Sequence, residues 1–129
     1  VEFFLTKKDI YFSELSPRPH DTGMVTLASQ NLSEFDLHLR SILGLPIPEI
    51  SYMGPTASAV ILADRESANF EITGLADALR VKGSDVRVFG KPSARKFRRM
   101  GVALARGKTT DEARKRAMLA ASRVRVKYG

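Results

Sequence analysis

The chain opens on two short apolar and aromatic runs, residues 2–5 and 10–15, separated by the polar stretch Thr6-Lys7-Lys8-Asp9. Two such runs around a short polar turn predict a β-hairpin. A three-residue loop at Lys7-Lys8-Asp9 would pair Thr6 with Ile10, Phe4 with Phe12 and Glu2 with Glu14. The stretch Ser16-Pro17-Arg18-Pro19-His20-Asp21 follows, and its two prolines forbid a helix and predict a stiff extended loop. Residues 22–30 predict a short helix weakened by Gly23, and residues 33–43 a longer one. In the longer one Ser33 stands at the N-cap, Glu34 and Asp36 suit the positive helix end, and Phe35, Leu39, Ile42 and Leu43 share a face. Gly44 ends it, and Pro46 and Pro48 prevent its restart.

Further on, residues 57–62 read as a buried strand, 72–79 as a short helical turn, and 86–89 and 100–105 as strands. Residues 110–122 predict a helix capped by Thr110, with Asp111 and Glu112 in its first turn and Ala113, Ala117, Ala120 and Ala121 along one narrow face. Residues 124–128 close the chain as a strand. There is no internal repeat and no low-complexity tract.

Composition changes this picture in three ways. The 129 residues suffice for a modest core. With no cysteine, disulfide frameworks and thiolate chemistry are excluded, which fits a reducing compartment, and the cytoplasm is the expected location. No apolar run is long enough to span a bilayer. The first residue is not methionine and sits in an apolar run, so the chain is expected to be part of a longer protein. The net charge of +7 is unevenly spread: residues 1–64 carry four Lys/Arg against eight Asp/Glu, residues 65–129 seventeen against six. That gives −4 beside +11, the pattern of a metal site beside an anion site, of two solvated surfaces, or of a nucleic-acid contact in the basic half.

Three groups of residues carry candidate chemistry. In the predicted register Glu2, Phe4, Phe12 and Glu14 share one face of the ribbon. Two carboxylates directly opposite each other repel unless a cation joins them, and magnesium prefers such oxygen ligands. Solvated edge glutamates in another register are the alternative. In the two-proline loop the backbone is held, so Arg18 can grip an anion and Asp21 can accept from an amine; equally, both can tie the loop to the body. The segment from Lys91 to Arg99 holds Lys91, Arg95, Lys96, Arg98 and Arg99 and no acid, just after Gly90. Such a cluster suits a phosphate clamp, a solvated loop or a nucleic-acid contact.

Taken together, these stretches resemble one family. The run from Tyr11 through Ser16-Pro17-Arg18-Pro19-His20-Asp21-Thr22-Gly23 to Thr26 looks like the signature of the formate-dependent, ATP-grasp phosphoribosylglycinamide formyltransferases. Ser29-Gln30, Leu32-Ser33-Glu34-Phe35, Leu43-Gly44-Leu45-Pro46, Gly54-Pro55, Phe89-Gly90-Lys91-Pro92 and Arg98-Arg99-Met100-Gly101 continue it in order. The resemblance implies an α+β chain: residues 1–51 as the end of an ATP-grasp domain, and residues 52–129 as a small β-rich domain of rudimentary barrel-sandwich type with a packed helix. It implies an enzyme that uses ATP and formate to formylate glycinamide ribonucleotide in purine biosynthesis, through formyl phosphate. By the same resemblance Glu2 and Glu14 are ligands of Mg2+, and Asp21, Lys91, Arg98 and Arg99 bind the ribonucleotide, the three cations at its phosphate. A homodimer is implied as well.

The family's substrate domain and ATP-binding lysines and lid precede this stretch, so the chain by itself is expected to be inactive. Two departures stand out. Many ATP-grasp enzymes carry asparagine where this chain has Ser16, which is left outside the site. The run Arg95-Lys96-Phe97 is more basic than the family leads one to expect. Rival readings are an ATP-grasp carboxylase, such as the aminoimidazole ribonucleotide carboxylase subunit or biotin carboxylase, and a small basic nucleic-acid-binding module.

Overall fold

The computed structural model describes residues Val1–Gly129. The first element is the expected hairpin, β1 (Glu2–Leu5) against β2 (Ile10–Glu14). Its register differs from the predicted one. The loop has four residues, because the Thr6 side chain accepts from the Asp9 amide at 2.9 Å while the Thr6 amide donates to the Asp9 carbonyl at 2.9 Å. This makes Leu5–Ile10 the last pair and sets Phe4 opposite Tyr11 and Phe3 opposite Phe12. It is Phe3, not Phe4, that meets Phe12, edge to face with centroids 6.1 Å apart. A β-bulge then absorbs the extra residue, Ser13, and returns Glu2 to a position opposite Glu14.

Beyond the two-proline loop the predicted single helix is split into a 3-10 helix, Asp21–Val25, and a four-residue turn of α-helix, α1 (Thr26–Ser29). The Thr26 hydroxyl explains the change of geometry: it bonds the Gly23 carbonyl and accepts from the Glu34 amide at 2.8 Å, pinning this turn to the next helix. That helix, α2 (Glu34–Leu43), starts as predicted on a full capping box. The Asp36 amide donates to the Ser33 hydroxyl at 3.2 Å, and the Asp36 carboxylate accepts from the Ser33 amide at 2.8 Å. Gly44, at φ +64°, closes it in the left-handed conformation that glycine adopts without strain. The connector back is extended and is held by Asn31–Ser51 and Ser29–Met53 backbone bonds.

The second half is a three-stranded antiparallel sheet in the order β3 (Thr56–Leu62), β6 (Arg99–Arg106), β5 (Ser84–Val88), with a separate ribbon of β4 (Phe70–Thr73) and β7 (Arg125–Tyr128). Ile72 and Thr73 are strand, not helix; the helical turn is only α3 (Leu75–Leu79). The chain is thus a mixed α and β structure whose sheets do not close into a barrel.

Helix α4 (Thr110–Arg123) lies on one face of the central sheet. Its cap is Thr109, one residue earlier than expected, whose hydroxyl accepts from the Glu112 amide at 3.2 Å. Ala113 and Ala117 pack on Ala57 and Ala105, and Ala120 on Ile61 and Ala103. A stripe of alanines lets helix and sheet approach closely, so this core is thin and intolerant of added volume. Successive strand residues alternate faces, so Val102 and Leu104 point away from α4, toward the side on which α1 and the 3-10 helix touch the sheet; both are buried. That contact sets the two-proline loop against the start of β6.

Candidate functional site

The hairpin and the two-proline loop build the first half of the site. Glu2 and Glu14 sit opposite each other because of the bulge, and the His20 ring lies between them. Its Nδ1 is 3.0 Å from Glu2 Oε1, and its Nε2 is 2.7 Å from Glu14 Oε1. The Thr22 hydroxyl donates to the same Glu2 oxygen at 3.0 Å. Ligand atoms of Glu2, Glu14 and His20 all lie within 4.8 Å of one another, close enough to share one ion. Two carboxylates offer hard oxygen donors, so the pair fits a magnesium ion.

The second half comes from β6 and the loop before it. Arg99, the first residue of β6, donates to Asp21 Oδ1 at 2.8 Å. The alternative in which Asp21 ties its loop to the body is therefore part of the structure, with Arg99 as the partner. Gly90, at φ +60°, turns the chain out of β5. The loop then folds back: Ala94 pairs with Ser67, and the Phe97 amide donates to the Ala63 carbonyl at 2.8 Å. This return brings Lys91 and Arg99 to one place.

Between the halves lies a cleft of about 420 Å³. Arg18, Lys91 and Arg99 give it three cations, Asp21 its one carboxylate, and Phe35, Phe89 and Met24 an apolar wall, with His20 and Pro19 completing it. The Lys91 ammonium lies 5.9 Å from the centre of the Phe89 ring. Paired carboxylates thus adjoin, through His20, a cleft that carries three cations, an arrangement able to hold a metal ion beside an anionic ligand. A wider opening of about 490 Å³ over Phe3, Leu5 and Ile10 has only apolar walls and nothing to orient a polar ligand.

Of the six residues singled out from the sequence, Asp21, Lys91 and Arg99 line one cleft. Glu2 and Glu14 adjoin it through His20. Arg98 does not converge with them. Its guanidinium donates to the Ser93 carbonyl at 3.0 Å and the Ser93 hydroxyl at 2.9 Å, so it braces the loop that carries Lys91. Arg98 lies in the turn that precedes β6, its amide bonded to the Arg95 carbonyl, and not in the strand that carries Arg99. Sequence reasoning missed His20, although it stands in the same rigid loop, and missed Phe35 and Phe89, whose spacing spoke only of apolar faces.

Comparisons with known proteins show the family of the chain. A family described as PurT, C-terminal, matches residues 56–124, and the ATP-grasp domain family matches residues 1–35. A formate-dependent phosphoribosylglycinamide formyltransferase of Trichormus variabilis is 60% identical over 126 residues, which is 98% of this chain and 32% of that protein. One from Synechocystis sp. is 61% identical over the same share of each. The chain spans about a third of the length of these curated relatives. Among solved structures, N5-carboxyaminoimidazole ribonucleotide synthetase from Thermotoga maritima superposes with a TM-score of 0.85 at 28% identity, covering 98% of this chain and 36% of that one. Glycinamide-RNase-transformylase T from Mycobacterium tuberculosis gives 0.72 at 34% identity, covering 95% and 31%.

Proposed function

Because the chain belongs to the family described as PurT, C-terminal, we propose that it supplies the metal and ribonucleotide end of a formate-dependent phosphoribosylglycinamide formyltransferase. The observation that carries this reading is the cleft in which Asp21, Lys91 and Arg99 converge beside the Glu2–Glu14 pair. The likeness of fold extends to carboxyaminoimidazole ribonucleotide synthetases, but identity near 60% to formyltransferases against 28% to the Thermotoga maritima synthetase favours the formyltransferase over the carboxylase reading.

On this reading residues 1–51 are the end of an ATP-grasp domain and residues 52–129 a small C-terminal domain, with β4 and β7 as the remnant of a barrel-sandwich. The two family matches, ending at 35 and starting at 56, support a boundary between them. Formate attacks the γ-phosphate of ATP and displaces ADP, and the ribonucleotide amine attacks the formyl carbon of the resulting acyl phosphate, losing a proton and releasing inorganic phosphate. Glu2 and Glu14 hold Mg2+, which when bound offsets charge on the transferring phosphoryl oxygens. Asp21 accepts from the amine and orients it, while Lys91 and Arg99 hold the phosphate of the ribonucleotide. Arg98 acts on the same anion through the loop it braces. Phe35, Phe89 and Met24 keep water from a labile acyl phosphate. The partners are then small molecules and a second copy of the protein, in the cytoplasm, and not nucleic acid; no helix is long and apolar enough to cross a membrane.

Arg99→Ala in the intact protein tests this directly. A charge-assisted contact is worth about 1.5–3 kcal/mol, roughly ten- to a hundredfold in binding. The loss is expected in KM for glycinamide ribonucleotide with kcat little changed, because a phosphate remote from the reacting amine is held equally in ground and transition states. A raised KM for ATP with the ribonucleotide constant unmoved would assign the cations to the nucleotide and overturn the reading.

A further inference from the structure

The three cations of the cleft are held differently. Arg99 is paired with Asp21 at 2.8 Å, and Arg18 donates to the Pro19 carbonyl at 3.1 Å. The Lys91 ammonium has neither an ion pair nor a hydrogen bond to the protein; what it meets is the Phe89 ring, over which it lies 5.9 Å from the centre. Both partners stand on fixed backbone. The Phe89 amide donates to the Met100 carbonyl at 2.9 Å, which continues the β5–β6 ladder by one residue. Gly90, at φ +60°, then turns the chain, and Pro92 confines the backbone of Lys91 to extended conformations. A Cβ at Gly90 would meet nothing within 4 Å, so the glycine serves the turn and not a close approach. The freedom left to order is that of the Lys91 side chain, whose four-carbon stem is flexible.

We propose that Phe89 is a positioning residue of the anion site: its ring holds the Lys91 ammonium at the cleft by a cation–π contact, ready for the phosphate of the ribonucleotide. An aromatic face attracts a cation without neutralising it. A carboxylate in that place would compete with the incoming phosphate and would have to be given up on binding. The ring instead leaves the charge and the N–H donors of Lys91 to the ligand. Holding the side chain in the free protein also lowers the entropy lost when the anion binds. This role differs from that of an apolar wall, for which any apolar side chain of similar size would serve. The inference rests on the reading of Lys91 as a phosphate ligand, and the test separates the two.

Binding of glycinamide ribonucleotide to the intact protein is measured by isothermal titration calorimetry at fixed ionic strength. The series is wild type, Lys91→Met, Phe89→Leu, Phe89→Tyr and the double variant with Phe89→Leu and Lys91→Met, each with its thermal melt. Lys91→Met is expected to weaken binding by roughly tenfold or more. Phe89→Leu, which keeps an apolar wall but has no ring, is expected to weaken it by roughly two- to fivefold. Phe89→Tyr, which keeps the ring face, is expected to bind like wild type. In the Lys91→Met background Phe89→Leu should cost nothing further, whereas a wall contact would be lost with or without the lysine. Phe89→Met carries the test if the leucine variant does not fold. If Lys91→Met weakens binding while Phe89→Leu binds like wild type, or weakens it equally in both backgrounds, the positioning role fails and the phosphate reading stands. A tyrosine variant as weak as the leucine one would also overturn the proposal. If Lys91→Met leaves binding unchanged, Lys91 is no phosphate ligand and both fall.

Discussion

Adjacent arginines in the site do different work. Arg99 is 57% exposed in its side chain and faces the cleft, where Asp21 is its partner; Arg98 is half-buried and spends its guanidinium on Ser93. Arg98→Ala is therefore expected to lower thermal stability by about 1 kcal/mol, the usual worth of such bonds. Its effect on the ribonucleotide KM should be smaller than that of Arg99→Ala, which should barely move stability because exposed pairs contribute little. Paired melting and kinetic measurements on both variants check this, and equal effects on both observables would contradict it. A second residue-scale prediction concerns Glu112. The Lys108 amide, and then the charge of Arg116, hold its carboxyl below the ordinary value of 4.5. A depressed carboxyl adds stability that is complete above its ordinary value and is lost as pH falls through the lower folded value. Glu112→Gln should thus destabilise at neutral pH, and the gap to wild type in thermal melts should narrow as pH falls below the ordinary value of 4.5 and close once the lowered folded value is passed.

At the scale of elements, α4 is the clearest case of packing decided by small residues. Ala113, Ala117 and Ala120 are fully buried against Ala103 and Ala105. Ala117→Leu is expected to push the helix off the sheet at a cost of about 1–3 kcal/mol, read as a lower urea midpoint; an unchanged midpoint would mean that the helix has room to move. The loop before β6 carries the opposite signal. Phe97 adopts φ +64°, is exposed, and sits in a turn closed by the Arg98 amide on the Arg95 carbonyl. A left-handed phenylalanine is strained by roughly 1–2 kcal/mol, so Phe97→Gly should stabilise by an amount on the order of 1 kcal/mol. Helix α2 and the alanine face of α4 were legible in the sequence, because caps and period are local properties. The register of the hairpin was not: whether the Thr6 side chain closes a four-residue loop, and whether Ser13 bulges, depends on hydrogen bonds that apolar spacing does not encode. For the same reason β4 was hidden, since Phe70–Thr73 becomes a strand only by pairing with β7 at the far end of the chain.

Across the whole molecule, the charge asymmetry seen in the sequence becomes a site drawn from both halves of the chain. Glu2 and Glu14 come from the acidic half, Lys91 and Arg99 from the basic half, and the Asp21–Arg99 pair joins them. Part of the cleft, Asp21, Lys91 and Arg99, was legible as a set of residue types. Its composition was not, because His20, Phe35 and Phe89 enter it only through tertiary contact between the loop after β2 and the loop before β6. The geometry fits two neighbouring chemistries, formylation with formate and carboxylation with bicarbonate, and the substrate decides between them. The most direct measurement is ADP release by the intact protein, with formate and glycinamide ribonucleotide on one side and bicarbonate and aminoimidazole ribonucleotide on the other. The account predicts turnover that requires formate and glycinamide ribonucleotide together and is absent with the second pair; turnover only with bicarbonate and aminoimidazole ribonucleotide would contradict it.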